Sequence, residues 1–158
     1  MIAIGECVGL ERGIIDIEFK IKDKQVMLIE INPRLAGPHL GHLVNYYLGA
    51  CPYEFLIKSH CFEEVSFQRE APKSSSFFTE YLIYPSKAGV IEEIIFPEKG
   101  PKIKDYGVVG IFPKEIEEAD WMGGCVAFVI TEGDSREESM KVAKDFVDNT
   151  IQKYQEKL

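Results

Sequence analysis

The chain lacks the features of membrane, secreted and nucleic-acid-binding proteins. No apolar run comes near the ~18 residues that a bilayer-spanning helix needs. Residues 1–10 have neither the basic segment nor the unbroken apolar stretch of a signal peptide. Lys and Arg number 18 against 26 Asp and Glu, which gives a net charge of −8. Binding to nucleic acids or anionic membranes depends on neutralising phosphates, so we expect neither partner.

The cysteines form no functional pattern. Cys7, Cys51, Cys61 and Cys125 include no Cys-x-x-Cys pair, and no Cys/His group has zinc spacing. A chain of 158 residues can build a core without a disulfide framework. We therefore expect reduced, mostly buried thiols and a cytoplasmic protein.

Composition divides the chain into three segments. Residues 1–62 contain a hairpin and two helices, which we expect to begin near Pro38 and Pro52. Residues 63–76 are rich in Glu, Pro and Ser, as linkers are. The third segment, 77–158, predicts four strands and then a helix. We therefore expect an α+β protein whose antiparallel sheet and flanking helices are followed by a small antiparallel α/β lobe.

The elements of the third segment follow from its apolar pattern. Strands are predicted at 77–84, 90–96, 108–112 and 124–131. Ser135 and Glu138 form a capping box at the start of the final helix. An inward apolar stripe extends this predicted helix to Tyr154.

Residues 15–32 have the pattern of a β-hairpin. Apolar residues alternate with other residues, mostly polar, over 15–21 and again over 27–32. Residues 22–25 supply the turn, and Pro33 ends the second strand because it cannot donate to the ladder. If the apolar positions of both strands share the core side, the polar positions share the other side.

This alternation brings two carboxylates together. A three-residue loop at 23–25 would place Glu18 directly opposite Glu30, with Cβ atoms roughly 5 Å apart. Two like charges in that position are destabilising unless a partner neutralises them. One candidate partner is a divalent cation. The other is Lys20, diagonal to Glu30, in an ordinary solvated ion pair.

The residues after Glu30 favour the cation. Asn32 adds a neutral oxygen on the same face, two residues along. Magnesium prefers one or two carboxylates together with phosphate oxygens and water. Arg34 is always charged and can fork onto a phosphate or a developing oxyanion. These residues predict a site where magnesium and phosphate meet.

The hairpin resembles the metal-binding hairpin of ATP-grasp enzymes. The resemblance rests on Ile-Glu-Phe at 17–19 and Leu-Ile-Glu-Ile-Asn-Pro-Arg-Leu-Ala-Gly at 28–37, and it covers about residues 3–60. The family includes D-alanine–D-alanine ligases, biotin carboxylases, carbamoyl-phosphate synthases and L-amino acid ligases. Residues 77–157 more weakly resemble the small C-terminal lobe of the L-amino acid ligases, through Pro-Ser-Lys-Ala-Gly-Val-Ile at 85–91.

The resemblance implies a role for each polar residue of the hairpin. Glu18, Glu30 and Asn32 would bind Mg²⁺ or Mn²⁺ and, through the metal, ATP. Arg34 would contact the transferred phosphoryl group or the acyl-phosphate. Such enzymes use ATP to activate a small-molecule carboxylate as an acyl-phosphate, which an amine or thiol then attacks.

The ATP-binding lobe of that family has no counterpart in this sequence. Its lysines, Gly-rich flap and adenine-holding strand would precede Met1. We therefore expect the C-terminal fragment or subunit of a ligase, inactive without its N-terminal lobe or subunit. The alternative is a non-catalytic binding or assembly module that retains the scaffold. Apolar surface near residues 2–10 would favour self-association into a homo-oligomer.

Other candidate residues carry weaker signals. His39 and His42 have the i, i+3 spacing of a helical metal pair, but no third ligand accompanies them. A position in the wall of the substrate pocket is the better interpretation of His39. His60 is expected to mark the end of a helix.

Overall fold

A computed structural model of the chain describes residues 6–7, 9, 12–37, 40–61, 75–117 and 124–155. The chain divides into two compact units, Met1–Ser74 and Ser75–Leu158. The predicted linker lies almost entirely outside the described residues, as do His39 and most of residues 2–10. None of the described helices is both long and apolar enough to cross a membrane.

The described part of the first unit contains helical residues at 6–7, a hairpin and two short helices. Strands β1 (Asp16–Lys22) and β2 (Gln25–Asn32) pair antiparallel. Helix α1 (Leu40–Leu48) ends at Gly49, whose φ of +67° suits a residue without a Cβ and whose N–H donates to the Asn45 carbonyl. Helix α2 (Pro52–His60) begins at a proline, which fits the first helical position.

A glycine lets the two helices approach closely. Gly41 is the buried residue of α1, and a Cβ there would lie 2.8 Å from the ring of Tyr53 on α2. The His42 ring also packs on Tyr53, with 5.7 Å between ring centroids. The ring of His42 therefore takes part in helix packing.

The described residues of the second unit form two three-stranded antiparallel sheets and one helix. Its elements are β3 (Phe77–Ile83), β4 (Gly89–Ile95), β5 (Ile103–Val108), β6 (Lys114–Ile116), β7 (Ala127–Gly133), α3 (Arg136–Asp148) and β8 (Ile151–Tyr154). The strand orders are β3-β7-β5 and β6-β4-β8. Together with the first unit, this arrangement confirms the α+β class.

Helix α3 covers the sheet that contains β7 and β3. Buried hydroxyls join helix and sheet: Thr131 Oγ1 donates to the Ser139 carbonyl at 2.8 Å, and Thr79 and Ser139 share a hydrogen bond of 2.7 Å. The buried apolar side chains of the second unit form two clusters. These are Ile83, Ile91, Ile94, Ile116, Val126 and Ala127, and Ile103, Val129, Ala143 and Phe146.

Two of the predicted elements are wrong. Residues 109–113 form a connection with a cis Phe112–Pro113 bond, and the strands lie on either side of it, as β5 and β6. Helix α3 stops at Asp148, because Asn149 and Thr150 side chains bind the carbonyls of its last turn. The residues that follow form β8, which pairs with β4.

The cysteine prediction is also only partly right. All four thiols are free, but Cys7, Cys51 and Cys61 are exposed and only Cys125 is buried. Burial raises the pKa of the Cys125 thiol, which keeps it protonated and unreactive.

The predicted cap of α3 is present. Ser135 Oγ accepts a hydrogen bond from the Glu138 N–H at 3.1 Å. Glu138 reaches back to the N–H of Asp134 at 2.6 Å, one residue before the position that a capping box uses. The contact with Ser135 satisfies a donor that a helix start would otherwise leave unpaired.

We expect Ser135→Ala to lower the free energy of unfolding of the second unit by about 1 kcal/mol, because the cap acceptor is lost. Urea unfolding followed on amide resonances of α3 measures this. Ser135→Asp is the matched control, since its carboxylate also accepts at the cap. Equal losses in the two variants would contradict a capping role.

Candidate functional site

The register of the hairpin depends on a tight turn and a bulge. Asp23 and Lys24 form a two-residue turn with φ of +50° and +63°, and Lys22 pairs with Gln25. The strands pair regularly from this turn as far as Phe19 opposite Leu28. The next pair is Glu18 with Glu30, so Ile29 has no partner and is the extra residue of a β-bulge. The predicted three-residue loop is therefore wrong.

The bulge brings the two carboxylates onto one face. Glu18 lies directly opposite Glu30. Without the bulge, the two-residue turn would pair Glu18 with Ile29 and would turn Glu30 to the other face. The facing that the alternation pattern predicted is present, but Ile29 produces it.

Neither carboxylate has a neutralising partner within the described part of the chain. Both glutamates are exposed, and no hydrogen bond or ion pair joins either to another described residue. Lys20 lies opposite Met27 and forms no ion pair with Glu30 in the described chain. The simple salt-bridge interpretation therefore finds no support, and the like charges face each other at a solvent-accessible position.

Asn32 and Arg34 follow at the end of β2. Asn32 is half-buried and lies two residues beyond Glu30, on the same face. The Arg34 N–H donates to the Asn32 carbonyl at 2.8 Å, which closes a tight turn after the strand. This turn keeps the Arg34 side chain at the end of the hairpin that carries the carboxylates.

A fourth polar residue on this face was not among the predicted site residues. Asp16 lies directly opposite Asn32, and its Oδ2 is 3.9 Å from Nη1 of Arg34. The sequence signal was present, because Asp16 lies two residues before Glu18 and therefore shares its face. The hairpin thus offers three carboxylates, an amide and a guanidinium at one end.

The carboxylate and amide oxygens at this end of the hairpin suit a divalent cation such as magnesium, which can bind a phosphate ligand at the same time. Among the described residues, no group of three or more His, Cys, Asp and Glu side chains could hold a metal by itself. Two facing carboxylates and an amide oxygen leave coordination positions for water and phosphate, which magnesium prefers. The residues fit magnesium bound together with a phosphate ligand better than they fit zinc.

The predicted histidines do not add to this set. His39 is outside the described residues, and the His42 ring packs on Tyr53. His60 lies in the last turn of α2, where its Nδ1 is 2.9 Å from the Leu56 carbonyl. This position agrees with its predicted place at a helix end.

Beyond the bulge, the hairpin exposes apolar side chains on both faces. Six of them are 45–68% exposed, namely Phe19, Ile21, Val26, Met27, Leu28 and Ile29. An isolated two-stranded hairpin is marginally stable in water. The distal half therefore lacks a covering layer within the described residues.

No family model matches the sequence, and no curated protein matches it. Solved structures do resemble it. An L-amino acid ligase from Bacillus licheniformis matches 96% of this chain and 38% of its own, with a TM-score of 0.77 and 19% identity. A phosphoribosylglycinamide synthetase from Anaerococcus prevotii matches 96% of this chain and 39% of its own, with a TM-score of 0.70 and 16% identity.

A third similar structure contains nucleotide and metal. The biotin carboxylase domain of the Hydrogenobacter thermophilus 2-oxoglutarate carboxylase, in complex with MgADP, ADP and bicarbonate, covers 87% of this chain and 31% of its own. Its TM-score is 0.66 and its identity 17%. Identities this low establish the fold alone. The chain spans less than two fifths of the length of each of these three proteins.

Proposed function

We propose that this chain, whose fold matches part of the ATP-grasp ligases, forms the C-terminal, metal-binding half of such a ligase. In this proposal the complete enzyme activates a carboxylate with Mg-ATP as an acyl-phosphate, which an amine or thiol then attacks. An ATP-binding lobe that this chain does not contain supplies the rest of the site. The chain alone is inactive.

The pairing of Glu18 with Glu30 is the observation that carries the proposal. A scaffold that only needed to fold would gain stability from an apolar or oppositely charged pair at this position. Instead, two carboxylates without a partner among the described residues face each other, and the bulge at Ile29 brings them together. Bulges are common beside active sites, where they redirect a side chain.

Each polar residue then has a role of its own. Glu18, Glu30 and Asn32 hold Mg²⁺ (or Mn²⁺), which offsets the charge of the ATP phosphates when it is bound. The Arg34 guanidinium is 58% exposed, so it can fork onto the phosphoryl group or the acyl-phosphate. Arg34 is the proposed catalytic residue, because it would stabilise charge on the reacting group.

The distal half of the hairpin supports the proposal that an ATP-binding lobe completes the enzyme. Its apolar side chains need a covering layer, and the similar structures are more than twice as long as this chain. We propose that a region of the ATP-binding lobe packs there. In its absence the same surface would favour self-association.

Metal binding by the chain itself tests the site directly. We expect the wild-type chain to bind Mn²⁺ weakly, and Glu18→Gln to weaken binding at least about tenfold, because one of the two facing carboxylates is lost. Electron paramagnetic resonance of free Mn²⁺ measures both affinities. Glu92→Gln is the matched control, since Glu92 is exposed on β4 in the other unit.

Mn²⁺ affinity that is equal in wild type and Glu18→Gln would refute the metal assignment. The ligase assignment is tested separately, by ATP-dependent phosphate release from this chain together with an ATP-binding lobe. Metal binding without turnover in that assembly would favour the alternative, a binding or assembly module that keeps the scaffold.

A further inference from the structure

We propose that Asp16 is a positioning residue, whose carboxylate holds the Arg34 guanidinium at the polar end of the hairpin for an incoming phosphoryl group. This inference rests on the proposed function. It adds a residue that acts through Arg34 rather than on the substrate.

The hairpin fixes Asp16 firmly. It is the first residue of β1 and pairs with Asn32, so its backbone belongs to the ladder next to the Glu18–Glu30 pair. Its side chain is only 20% exposed, whereas that of Arg34 is 58% exposed. A short, half-buried side chain on a strand has little conformational entropy left to lose, so it can restrict a longer side chain at low cost.

The Arg34 guanidinium makes one hydrogen bond and one ion pair, both through the same nitrogen. Nη1 donates to the Leu35 carbonyl at 2.9 Å and lies 3.9 Å from Asp16 Oδ2. Both contacts that the described residues make with the guanidinium use Nη1, so Nη2 and Nε remain available to an anion. Two donors of a planar fork are what bidentate binding of a phosphate needs.

A role for Asp16 as a third metal ligand fits the structure less well. The described residues contain no group of three His, Cys, Asp and Glu side chains that could hold a metal. The Asp16 carboxylate forms an ion pair with the Arg34 guanidinium, at 3.9 Å. A cation next to a ligand would oppose metal binding.

The side-chain dynamics of Arg34 test the positioning in the chain itself. We expect Asp16→Asn to raise the picosecond–nanosecond mobility of the Arg34 Nε–H group, measured by its ¹⁵N heteronuclear NOE. Asp23→Asn is the matched control, because it removes one negative charge from the far end of the same hairpin. Asparagine also accepts the φ of +50° at that turn.

The effect of Asp16 on catalysis is tested by the turnover of this chain assembled with the ATP-binding lobe. We expect Asp16→Asn to lower kcat about tenfold with little change in the KM for ATP, since misplacement of a group that acts in the transition state reduces kcat. Asp16→Glu should restore part of the rate. In the Arg34→Ala background, Asp16→Asn should cause no further loss.

The two measurements separate this inference from the proposed function. Unchanged Arg34 mobility in Asp16→Asn overturns the positioning role, whether or not the assembly is a ligase. An equal loss of kcat in the Arg34→Ala background also overturns it, because Asp16 would then act by another route. If Arg34→Ala does not alter phosphate release, the catalytic role of Arg34 fails, even where Asp16 still restricts its motion.

Discussion

Glu30→Gln is expected to lower ATP-dependent phosphate release by at least about a hundredfold when this chain is combined with its ATP-binding lobe. That factor corresponds to ~2.7 kcal/mol in the activation barrier. The substitution keeps the size of the side chain and its place opposite Glu18 but removes one of the two charges that would hold the metal. Phosphate release at saturating Mg-ATP measures the effect.

The stability of the metal-free chain should not fall together with turnover. Facing carboxylates repel, so Glu30→Gln is expected to leave the hairpin as stable as before, or to stabilise it by a few tenths of a kcal/mol. Glu92→Gln, on an exposed strand position of the other unit, should change neither quantity. Full turnover in Glu30→Gln would rule out the metal assignment, and joint loss of stability and turnover would indicate a structural role.

Glu80→Gln is expected to remove most of the pH dependence of stability of the second unit between about pH 5 and pH 8. Glu80 lies on β3 opposite Ile130, and Ile130 is fully buried. The Oε1 atom of Glu80 is buried and has no hydrogen-bond partner among the described residues. Burial raises the pKa of this carboxyl from 4.5 to about 7. No prediction from sequence singled out this residue.

The sign follows from linkage. A carboxyl whose pKa is higher in the folded state favours folding while it is protonated. Its contribution is complete below about pH 4.5 and is lost as the pH rises through about 7. At 1.36 kcal/mol for each unit of pKa, a rise from 4.5 to about 7 means that the ionised group costs about 3 kcal/mol at pH 8. The free energy of unfolding of Glu80→Gln should therefore exceed that of wild type at pH 8. The difference between the two free energies should be smaller at pH 5.

Urea unfolding at pH 5 and pH 8, followed on the amide resonances of β7, measures both values. Glu92→Gln is the control, because its carboxylate is exposed and should leave the wild-type slope unchanged. An identical pH slope in wild type and Glu80→Gln would show that Glu80 is not the group that titrates with stability.

Local patterns predicted the parts of the fold that local physics controls. Strong period-2 alternation placed β1 and β2, and the Ser135 cap placed the start of α3, because each of these signals lies within a few residues of the element that it specifies. The C-terminal strand β8 was missed, since its pairing with β4 depends on residues far away in the sequence. Tyr154 illustrates this, because its hydroxyl binds the turn at Ser86 and Lys87.

In the candidate site, too, some features follow from local sequence patterns and others depend on the folded structure. The alternation pattern identified Glu18, Glu30 and Asn32 as residues of one face, and the metal and phosphate roles of these residues and Arg34 stay predictions. Asp16 was overlooked because an acidic residue at the start of a strand usually points only to solvent. Its contact with Arg34 appears only when the turn after β2 folds the arginine back.

The sequence by itself determined which groups this protein can offer: two strands of alternating character, and the acids, amide and guanidinium near their ends. The tertiary structure decided how the acids come to face each other, through a turn and a bulge that the alternation pattern did not predict. A two-residue turn would have turned Glu30 away from Glu18, and only the bulge at Ile29 reverses this. The reason is physical, since side chains alternate with period two and a single extra residue exchanges the faces of everything beyond it.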